Sequence, residues 1–207
     1  ASVLDAGGRN IFAGATPADS TDLRHAIRGL LDTLADGMAI CAPGPNSYRR
    51  FRPEAYVPMT ATWSVNNRGS ALRVPVSDSA NQRIEHRLAG ADANPYLVVA
   101  WMLAGIHRGL ARGEEPPPPL DGNAYRPSTA EPLPIYWPQA LDRFAASWQA
   151  MRADACLATH ARGEQSTALL DQRMGCLDRK LDQMAGLIAA LGDRPPPDLI
   201  ERAVQAA

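Results

Sequence analysis

The chain contains 207 residues, with 21 lysines and arginines against 22 aspartates and glutamates, so its formal net charge is −1. This balance gives no reason to expect a surface that binds nucleic acid or membranes along the whole chain. No apolar run approaches the roughly 18 residues that would cross a bilayer, and no signal peptide opens the sequence. The three cysteines are widely separated and form no CxxC motif, which favours reduced thiols. The sequence therefore predicts a cytoplasmic protein.

The first predicted element is a helix in the stretch STDLRHAIRGLLDTLADGMAICAPG. Ser20 and Thr21 are candidate N-caps, and Pro43, Gly44 and Pro45 end the pattern. Apolar residues recur through it at helical spacing: Leu23, Ile27, Leu30, Leu34 and Met38.

Three short runs rich in β-branched and aromatic residues come next and predict neighbouring antiparallel strands. They are YVPMTATWSV, SALRVPV and QRIEHRL, and NNRG between the first two is a plausible hairpin turn. Because side chains alternate along a strand, Arg83, Glu85 and Arg87 are expected on one face of the last run, together with Arg73. The opposite face would carry Ile84, His86 and Leu88.

A second helix is predicted in the stretch NPYLVVAWMLAGIHRGLARG. Asn94 is a candidate N-cap, Pro95 fits the first turn, and Gly113 is a candidate stop. The helix is apolar on nearly every side, which predicts that it is buried under the sheet. The stretch that follows, EEPPPPLDGNAYRPSTAEPLP, is proline-rich and reads as a linker or surface loop.

The character of the sequence changes after about Trp137, where two long helical stretches meet near ARGEQS. Their composition predicts an all-α helical hairpin or coiled coil that acts as a packing or partner-binding module. The expected domains are residues 1–137 and 138–207, and GDRPPPD would break the chain before a further helix. The second stretch carries a heptad seam: Leu170, Met174, Leu177, Leu181, Met184, Ile188 and Leu191.

The predicted sheet places several guanidinium groups around a single carboxylate. The simpler interpretation is a solvated sheet face with ordinary Arg–Glu pairs. Arginine, however, suits bidentate contacts with phosphate or carboxylate, and a carboxylate among arginines stays ionised, as a metal ligand must. Such a face fits an anionic substrate together with nucleotide phosphates and Mg²⁺.

The motifs NSYRRF, NNRGSALRVP and RIEHRLAGADANPYL resemble the C-terminal catalytic half of the glutamine synthetase superfamily, above all its γ-glutamylpolyamine (glutamate–putrescine) ligase branch. The resemblance runs from the first residue to about residue 145. It implies an α+β fold, an incomplete catalytic domain of antiparallel strands backed by helices. It also implies that ATP phosphorylates the γ-carboxylate of glutamate and that an amine then displaces phosphate. The resemblance further implies divalent metals, Mg²⁺ or Mn²⁺. It also implies a homo-oligomeric ring whose active sites are shared between neighbouring subunits.

The resemblance carries roles onto the residues that match the family's motifs. Arg68 and Arg73 would face the ATP phosphates and the transferring phosphoryl group. Arg83 would line the nucleotide site with Ser2, which matches the position after the family's His-x-His motif. Glu85 would be a metal ligand. In this interpretation the arginines neutralise the charge of a phosphoryl-transfer site.

The resemblance further implies that Arg50 grips the α-carboxylate of glutamate and that Arg87 also holds glutamate. True glutamine synthetases carry an acidic flap residue that binds and deprotonates ammonium. Counting from Arg50 and from Pro58 places Tyr56 at that position, with Glu54 two residues away. An aromatic residue suits an alkyl amine better than ammonium, whereas a shift of the loop would let Glu54 serve an ammonia-using glutamine synthetase.

The chain is expected to be a fragment, because it lacks an initiator methionine and stops within an apparent helix. The resemblance implies that an N-terminal half with most of the metal carboxylates is missing, so the fragment is expected to be inactive by itself. The tail resembles the helical linker of large bacterial serine/threonine kinases with tetratricopeptide repeats, with a junction near residues 139 to 148. The alternative function is a non-catalytic scaffold, a degenerate synthetase half whose tail recruits a partner.

Overall fold

The computed structural model describes residues 1–126 and 129–191, except for the side chains of residues 18, 180–181 and 183–191. Five α-helices and three short strands lie in the described part, together with 3₁₀ turns at Pro17–Asp19, Pro45–Arg50 and Ser79–Asn81. Among the described residues no helix is both long and apolar enough to span a membrane. The helices are α1 (Thr21–Thr33), α2 (Met38–Cys41), α3 (Pro95–Arg112), α4 (Trp137–His160) and α5 (Thr167–Leu191), and the strands are β1 (Trp63–Val65), β2 (Leu72–Val74) and β3 (Glu85–His86).

The chain divides into two compact units, Ala1–Phe144 and Ala145–Ala207. The first combines a small sheet with helices, as an α+β fold requires. Its core is one apolar cluster that includes Leu30 of α1, Leu72 of β2, and Ile84 and Leu88 on either side of β3.

Helices α1 and α3 form the main helix pair of the first unit, and their backbones approach closely at glycines. A Cβ atom added to Gly29 would lie 2.2 Å from the carbonyl oxygen of Gly105, and one added to Gly109 would lie 2.0 Å from that of His25. Real Cβ atoms do not approach backbone oxygens this closely, so the close crossing of α1 and α3 requires glycine at these positions.

The predicted start of α1 and both predicted ends of α3 are confirmed. The predicted end of the first helix at Pro43 is wrong, because α1 ends at Thr33 and Met38–Cys41 forms the separate helix α2. The Ser20 hydroxyl accepts a hydrogen bond from the backbone of Leu23 at 3.2 Å, which caps α1. Asn94 caps α3 by accepting from the backbone N–H groups of Tyr96 and Leu97, and Gly113 ends it in the left-handed conformation with φ 66°.

The expectation that α3 lies buried under the sheet is wrong. The helix packs on α1 through its glycine-containing face, and Val98 and Ile106 are buried beside that face. The other side of the helix is exposed, with Tyr96 at 84% and Leu97 at 55% of their full accessibility. Small residues allow close approach on only one face, so composition alone could not tell which side of an all-apolar helix is covered.

The sheet has the order β1–β2–β3, and the predicted hairpin between β1 and β2 is a further error. β1 pairs with β2 in parallel, with Ser64 opposite Arg73, whereas β2 and β3 are antiparallel as predicted. The connection between β1 and β2 is a wide loop instead of a tight turn. Its Asn67 side chain donates to the carbonyl of Gly122 and accepts from the backbone of Gly69, so the loop is tied to another segment.

In the second unit, an ion pair between Arg152 and Asp178 links α4 to α5. Leu170 of the predicted seam is 8% exposed, and Met174 and Leu177 are half-buried. The side chains of the last seam positions lie outside the described residues: Leu181, Met184, Ile188 and Leu191. Residues 192–207, including the predicted break and final helix, also lie outside them. The complete helical hairpin, the boundary at residue 137 and the kinase-like origin of the tail therefore stay predictions.

Replacing Gly109 with alanine is expected to destabilise the first unit by about 3 kcal/mol, because the new methyl group would overlap the His25 carbonyl. Chemical denaturation followed by circular dichroism measures the change. Gly44→Ala is the control, since its methyl group would find only the Ser47 hydroxyl oxygen, at 3.9 Å, and should change stability by less than about 0.5 kcal/mol. Equal effects of the two substitutions would contradict the close helix contact.

Candidate functional site

The site is built around Glu85, which lies opposite Arg73 in the antiparallel pairing of β2 and β3. Nη1 of Arg73 donates to one carboxylate oxygen of Glu85 at 2.6 Å, and Nη2 of Arg83 approaches the other at 3.3 Å. The predicted shared face of Arg73, Arg83 and Glu85 is therefore confirmed. Two positive charges surround one negative charge, so the cluster remains attractive to an anion.

The Glu85 carboxyl is held in its ionised form. Desolvation is the largest influence and would raise its pKa, but the hydrogen bond and charge of Arg73, with the charge of Arg83, outweigh it and lower the pKa. An ionised carboxylate is the form that a metal ion requires.

Arg87 ties two loops to the same region. Its guanidinium donates to the backbone carbonyl of Arg68 and, at 3.2 Å, to that of Tyr56. Burial lowers the pKa of Arg87, and the positive charge of Arg73 lowers it further. The structure thus brings the backbones of Tyr56 and Arg68 to the arginine cluster and engages Arg87 with backbone oxygens, while the Tyr56 side chain remains 69% exposed.

Arg50 is the last residue of the 3₁₀ turn Pro45–Arg50, and it contacts the chain that leaves β3. Its guanidinium donates to the carbonyl of Leu88 and stacks 4.4 Å from the centre of the Phe51 ring. Desolvation lowers the pKa of Arg50, and the charge of Asp92 opposes that shift. Its Nε is buried without a hydrogen-bond partner, and only one of its Nη atoms donates to a carbonyl, so the guanidinium retains further donors.

Ser2 is placed beside β3 by backbone pairing of the residue before it. The N–H of Ile84 donates to the carbonyl of Ala1 at 2.9 Å, and the amino group of Ala1 donates to the carbonyl of Ile84 at 2.5 Å. Since Arg83 and Glu85 flank Ile84, the exposed Ser2 lies on the border of the arginine cluster.

Described residues other than glycine adopt the left-handed backbone conformation only in the loops that border the site. Among the described residues, the non-glycine residues with positive φ are Glu54 at 61°, Tyr56 at 54° and Asn66 at 56°. Such conformations are costly for residues other than glycine and often occur at functional sites. Asn66 was not among the residues predicted from the sequence, although its side-chain oxygen accepts a hydrogen bond from Arg73. The sequence offered one indication of this position, because asparagine tolerates the left-handed conformation better than most residues.

A cavity of about 490 Å³ lies beside the 54–56 loop. Glu54 and Tyr56 both line it, together with Asn67 and Tyr125. The Tyr125 hydroxyl is buried without a hydrogen-bond partner, and no sequence motif singled this residue out. The cavity combines one carboxylate with two aromatic rings. A larger cavity of about 670 Å³ lies at Trp63 and the proline run 116–119, and the arginine cluster contributes nothing to its lining.

The donor set of the described residues does not fit a metal site by itself. Nowhere in residues 1–126 and 129–191 do three or more His, Cys, Asp or Glu side chains gather in a way that could hold an ion. Glu85 is a single carboxylate whose two oxygens already meet arginines. His86 lies on the opposite face, and burial lowers its pKa to about 4.

Comparison with known proteins places this geometry in a wider context. The family model described as glutamine synthetase, catalytic domain, matches residues 1–162. Gamma-glutamylputrescine synthetase PuuA of Escherichia coli K12 is 44% identical over 137 residues, 66% of this chain and 29% of its own length. Gamma-glutamylethanolamide synthetase GlnA4 of Streptomyces coelicolor is 37% identical over 168 residues, 81% of this chain and 34% of its own.

A solved structure is also similar, that of a GmaS/ADP complex. It superposes with a TM-score of 0.61 at 26% identity and covers 93% of this chain and 43% of the GmaS chain. The chain thus spans about a third of the length of the curated relatives it matches.

Replacing Glu85 with glutamine is expected to destabilise the protein by about 1 kcal/mol at neutral pH, because partly exposed Arg73 and Arg83 lose their counter-charge. The pKa of Glu85 is lower in the folded state than its ordinary value of 4.5, so the stabilisation is complete above that value and is lost as the pH falls through the folded pKa. Denaturation at a series of pH values measures this. The difference between parent and Glu85→Gln should shrink below pH 4.5, and the exposed Glu54→Gln is the control. A difference that does not change with pH would contradict the charge pairing.

Proposed function

The chain belongs to the glutamine synthetase catalytic-domain family, and from that premise we propose that it forms part of an ATP-dependent ligase that joins the γ-carboxylate of glutamate to an amine. The observation that carries the proposal is the arginine cluster around Glu85. Arginines in excess over one carboxylate suit an anionic ligand with several charges, such as a triphosphate. The names of the relatives, a γ-glutamylputrescine and a γ-glutamylethanolamide synthetase, point to glutamate and an amine as substrates.

The proposed reaction has two steps. A γ-carboxylate oxygen of glutamate attacks the γ-phosphorus of ATP, so that an acyl phosphate forms and ADP leaves. The amine nitrogen then attacks the acyl carbon, the C–O bond to phosphate breaks, and the nitrogen loses a proton. Both steps move negative charge between phosphoryl and carboxyl oxygens, which fixed guanidinium groups stabilise.

The nucleotide side of the site is assigned to Arg68, Arg73, Arg83 and Ser2. Arg73 and Arg83 are supported by their common contact with Glu85, and Ser2 by its place next to the Ile84 pairing. We assign the first two, Arg68 and Arg73, to the transferring phosphoryl group. The similar GmaS structure is a complex with ADP, which agrees with a nucleotide ligand for this fold.

The glutamate side is assigned to Arg50 and Arg87. Arg50 donates to one backbone carbonyl, and its guanidinium has five donor hydrogens, so donors remain for a carboxylate. Arg87 already donates to two backbone carbonyls, and its guanidinium has five donor hydrogens, so donors remain for glutamate. Holding Arg87 by backbone contacts would fix its orientation before substrate arrives.

Divalent metal, Mg²⁺ or Mn²⁺, is proposed to bind with Glu85 as one ligand. A pair of such ions needs several oxygen ligands, and the described residues supply one carboxylate here. We therefore propose that the remaining ligands come from segments that the longer relatives possess, or from neighbouring subunits of a ring, and that the 207-residue chain does not turn over alone.

The amine is proposed to be an alkyl amine of the polyamine type. Tyr56 and Tyr125 line the cavity beside the 54–56 loop, and aromatic faces suit the chain and charge of an alkylammonium ion. Glu54 lines the same cavity, and this observation favours ammonia as the second candidate. A carboxylate there could attract and deprotonate ammonium.

A non-catalytic scaffold is the alternative from another class. Binding of ATP separates it from the ligase, because a scaffold needs no triphosphate site. Calorimetric titration of the 207-residue chain with ATP and Mg²⁺ is expected to detect binding. Arg73→Gln should weaken it about tenfold or more, since a hydrogen bond to a charged group contributes about 1.5–3 kcal/mol. Arg108→Gln, at an exposed arginine of α3, should leave it unchanged. The absence of ATP binding would favour the scaffold.

The acceptor is tested in an active enzyme that carries this sequence together with the segments of its longer relatives. The unsubstituted enzyme is expected to have a higher kcat/KM for putrescine than for ammonia. Tyr56→Glu should shift that ratio toward ammonia by about tenfold, because it adds a carboxylate to the cavity. Tyr136→Glu, at a tyrosine that is 66% exposed, is the control. Preference of the unsubstituted enzyme for ammonia would contradict the polyamine assignment and point to Glu54.

A further inference from the structure

We infer that Asn66 is the residue that positions the Arg73 guanidinium for an incoming phosphate, an inference that rests on the proposed function. Nη2 of Arg73 donates to Oδ1 of Asn66 at 2.5 Å, while Nη1 donates to Glu85 at 2.6 Å. The two contacts grip the guanidinium at two different nitrogens. Asn66 acts through Arg73 and is therefore a positioning residue.

The backbone of Asn66 is fixed where β1 ends. Its N–H donates to the carbonyl of Val74 at 2.9 Å, which extends the pairing of β1 with β2. Its φ of 56° lies in the left-handed region, where asparagine is among the best tolerated residues after glycine. A turn alone would be satisfied by glycine, so the side-chain contact to Arg73 gives asparagine a second purpose at this position.

The remaining nitrogen of the Arg73 guanidinium does not hold it in place. Nε of Arg73 is buried and has no hydrogen-bond partner. Without Asn66, a single carboxylate would restrain the group, and the guanidinium could turn about the Arg73–Glu85 contact. Binding of a phosphate ligand would then have to order the Arg73 side chain, and the loss of conformational entropy would lower the affinity.

The Asn66 amide is uncharged, and this also affects phosphate binding. Glu85 already balances one of the two charges of Arg73 and Arg83. A neutral acceptor fixes the direction of Arg73 and leaves its charge available for phosphate, whereas a carboxylate at residue 66 would compete with phosphate for that charge. The Asn66 side chain thus orients Arg73 and also leaves the charge of Arg73 available for phosphate. Different substitutions can test these two effects separately.

Three substitutions make the test. Asn66→Gly keeps the left-handed backbone without strain but removes the acceptor, and Asn66→Ala loses both. Asn66→Asp keeps an acceptor and tolerates the backbone, but adds a negative charge. The Tm should depend on how well residue 66 tolerates a positive φ. Asn66→Ala is therefore expected to lower the Tm by several degrees, while the Tm of Asn66→Gly and Asn66→Asp should stay close to that of the parent.

The rotational ordering of the Arg73 guanidinium should instead depend on whether the side chain of residue 66 carries a hydrogen-bond acceptor. ¹⁵N NMR of arginine side chains in the 207-residue chain reports rotation of the guanidinium, and Arg73→Lys identifies the signal. We expect separate, slowly rotating Nη signals of Arg73 in the parent and in Asn66→Asp, and averaged signals in Asn66→Gly. Unchanged Arg73 signals in Asn66→Gly would overturn the inference, whatever the nucleotide does.

Affinity supplies the second readout, with inorganic tripolyphosphate as the probe. The dissociation constant is expected to rise about tenfold in Asn66→Gly, and at least as much in Asn66→Asp, where orientation is kept but charge is lost. Equal affinity of the parent and Asn66→Gly would also overturn the inference. If the parent binds no tripolyphosphate, the proposed function fails for this chain, and the NMR result still decides whether Asn66 orders Arg73.

Discussion

The antiparallel pairing of β2 with β3 puts Glu85 directly opposite Arg73, and the arrangement of the other charged residues depends on that register. A shift by one residue would turn Glu85 to the core and bring His86 to the surface. Both strands are very short, so their own backbone hydrogen bonds could not hold this register alone. Burial of Leu72, Ile84 and Leu88 on the other face, all fully inaccessible, fixes it.

The same core supports the loops that carry the rest of the site. Arg87 follows β3 and reaches the backbones of Tyr56 and Arg68, so that one guanidinium connects the strand to two loops. Asn66 closes the arrangement from the end of β1 through its bond to Arg73. The charged residues therefore lie on segments that are tied to the sheet, although the loops themselves adopt unfavourable backbone angles. Such support is what a site for phosphoryl transfer requires, because positioning supplies much of the catalysis.

The balance of charge explains how the cluster is stable before any ligand binds. Glu85 remains ionised because Arg73 and Arg83 outweigh the cost of desolvating it. Backbone carbonyls accept the donors of Arg87 and Arg50, so these guanidinium groups are partly buried with hydrogen bonds in place. An excess of positive charge nevertheless remains, and it is the feature that suits the polyphosphate of the proposed ligase. Within the described ranges the cluster offers one carboxylate, which is too few for a pair of metal ions. The chain spans about a third of the length of the curated relatives it matches.

The sequence by itself determined the local features. The caps at Ser20 and Asn94, the stop at Gly113 and the alternation of residues 83–88 follow from side-chain chemistry and periodicity within a few residues, and the family follows from the ordered motifs. Only the tertiary structure decided the features that depend on distant segments. β1 and β2 run parallel and their loop is tied to Gly122 through Asn67, and α3 buries the face where glycines let it approach α1. The contact of Asn66 with Arg73 and the place of Tyr125 beside Glu54 and Tyr56 are equally non-local. Local patterns fix what each residue prefers, whereas long-range packing and hydrogen bonds select the partner it meets.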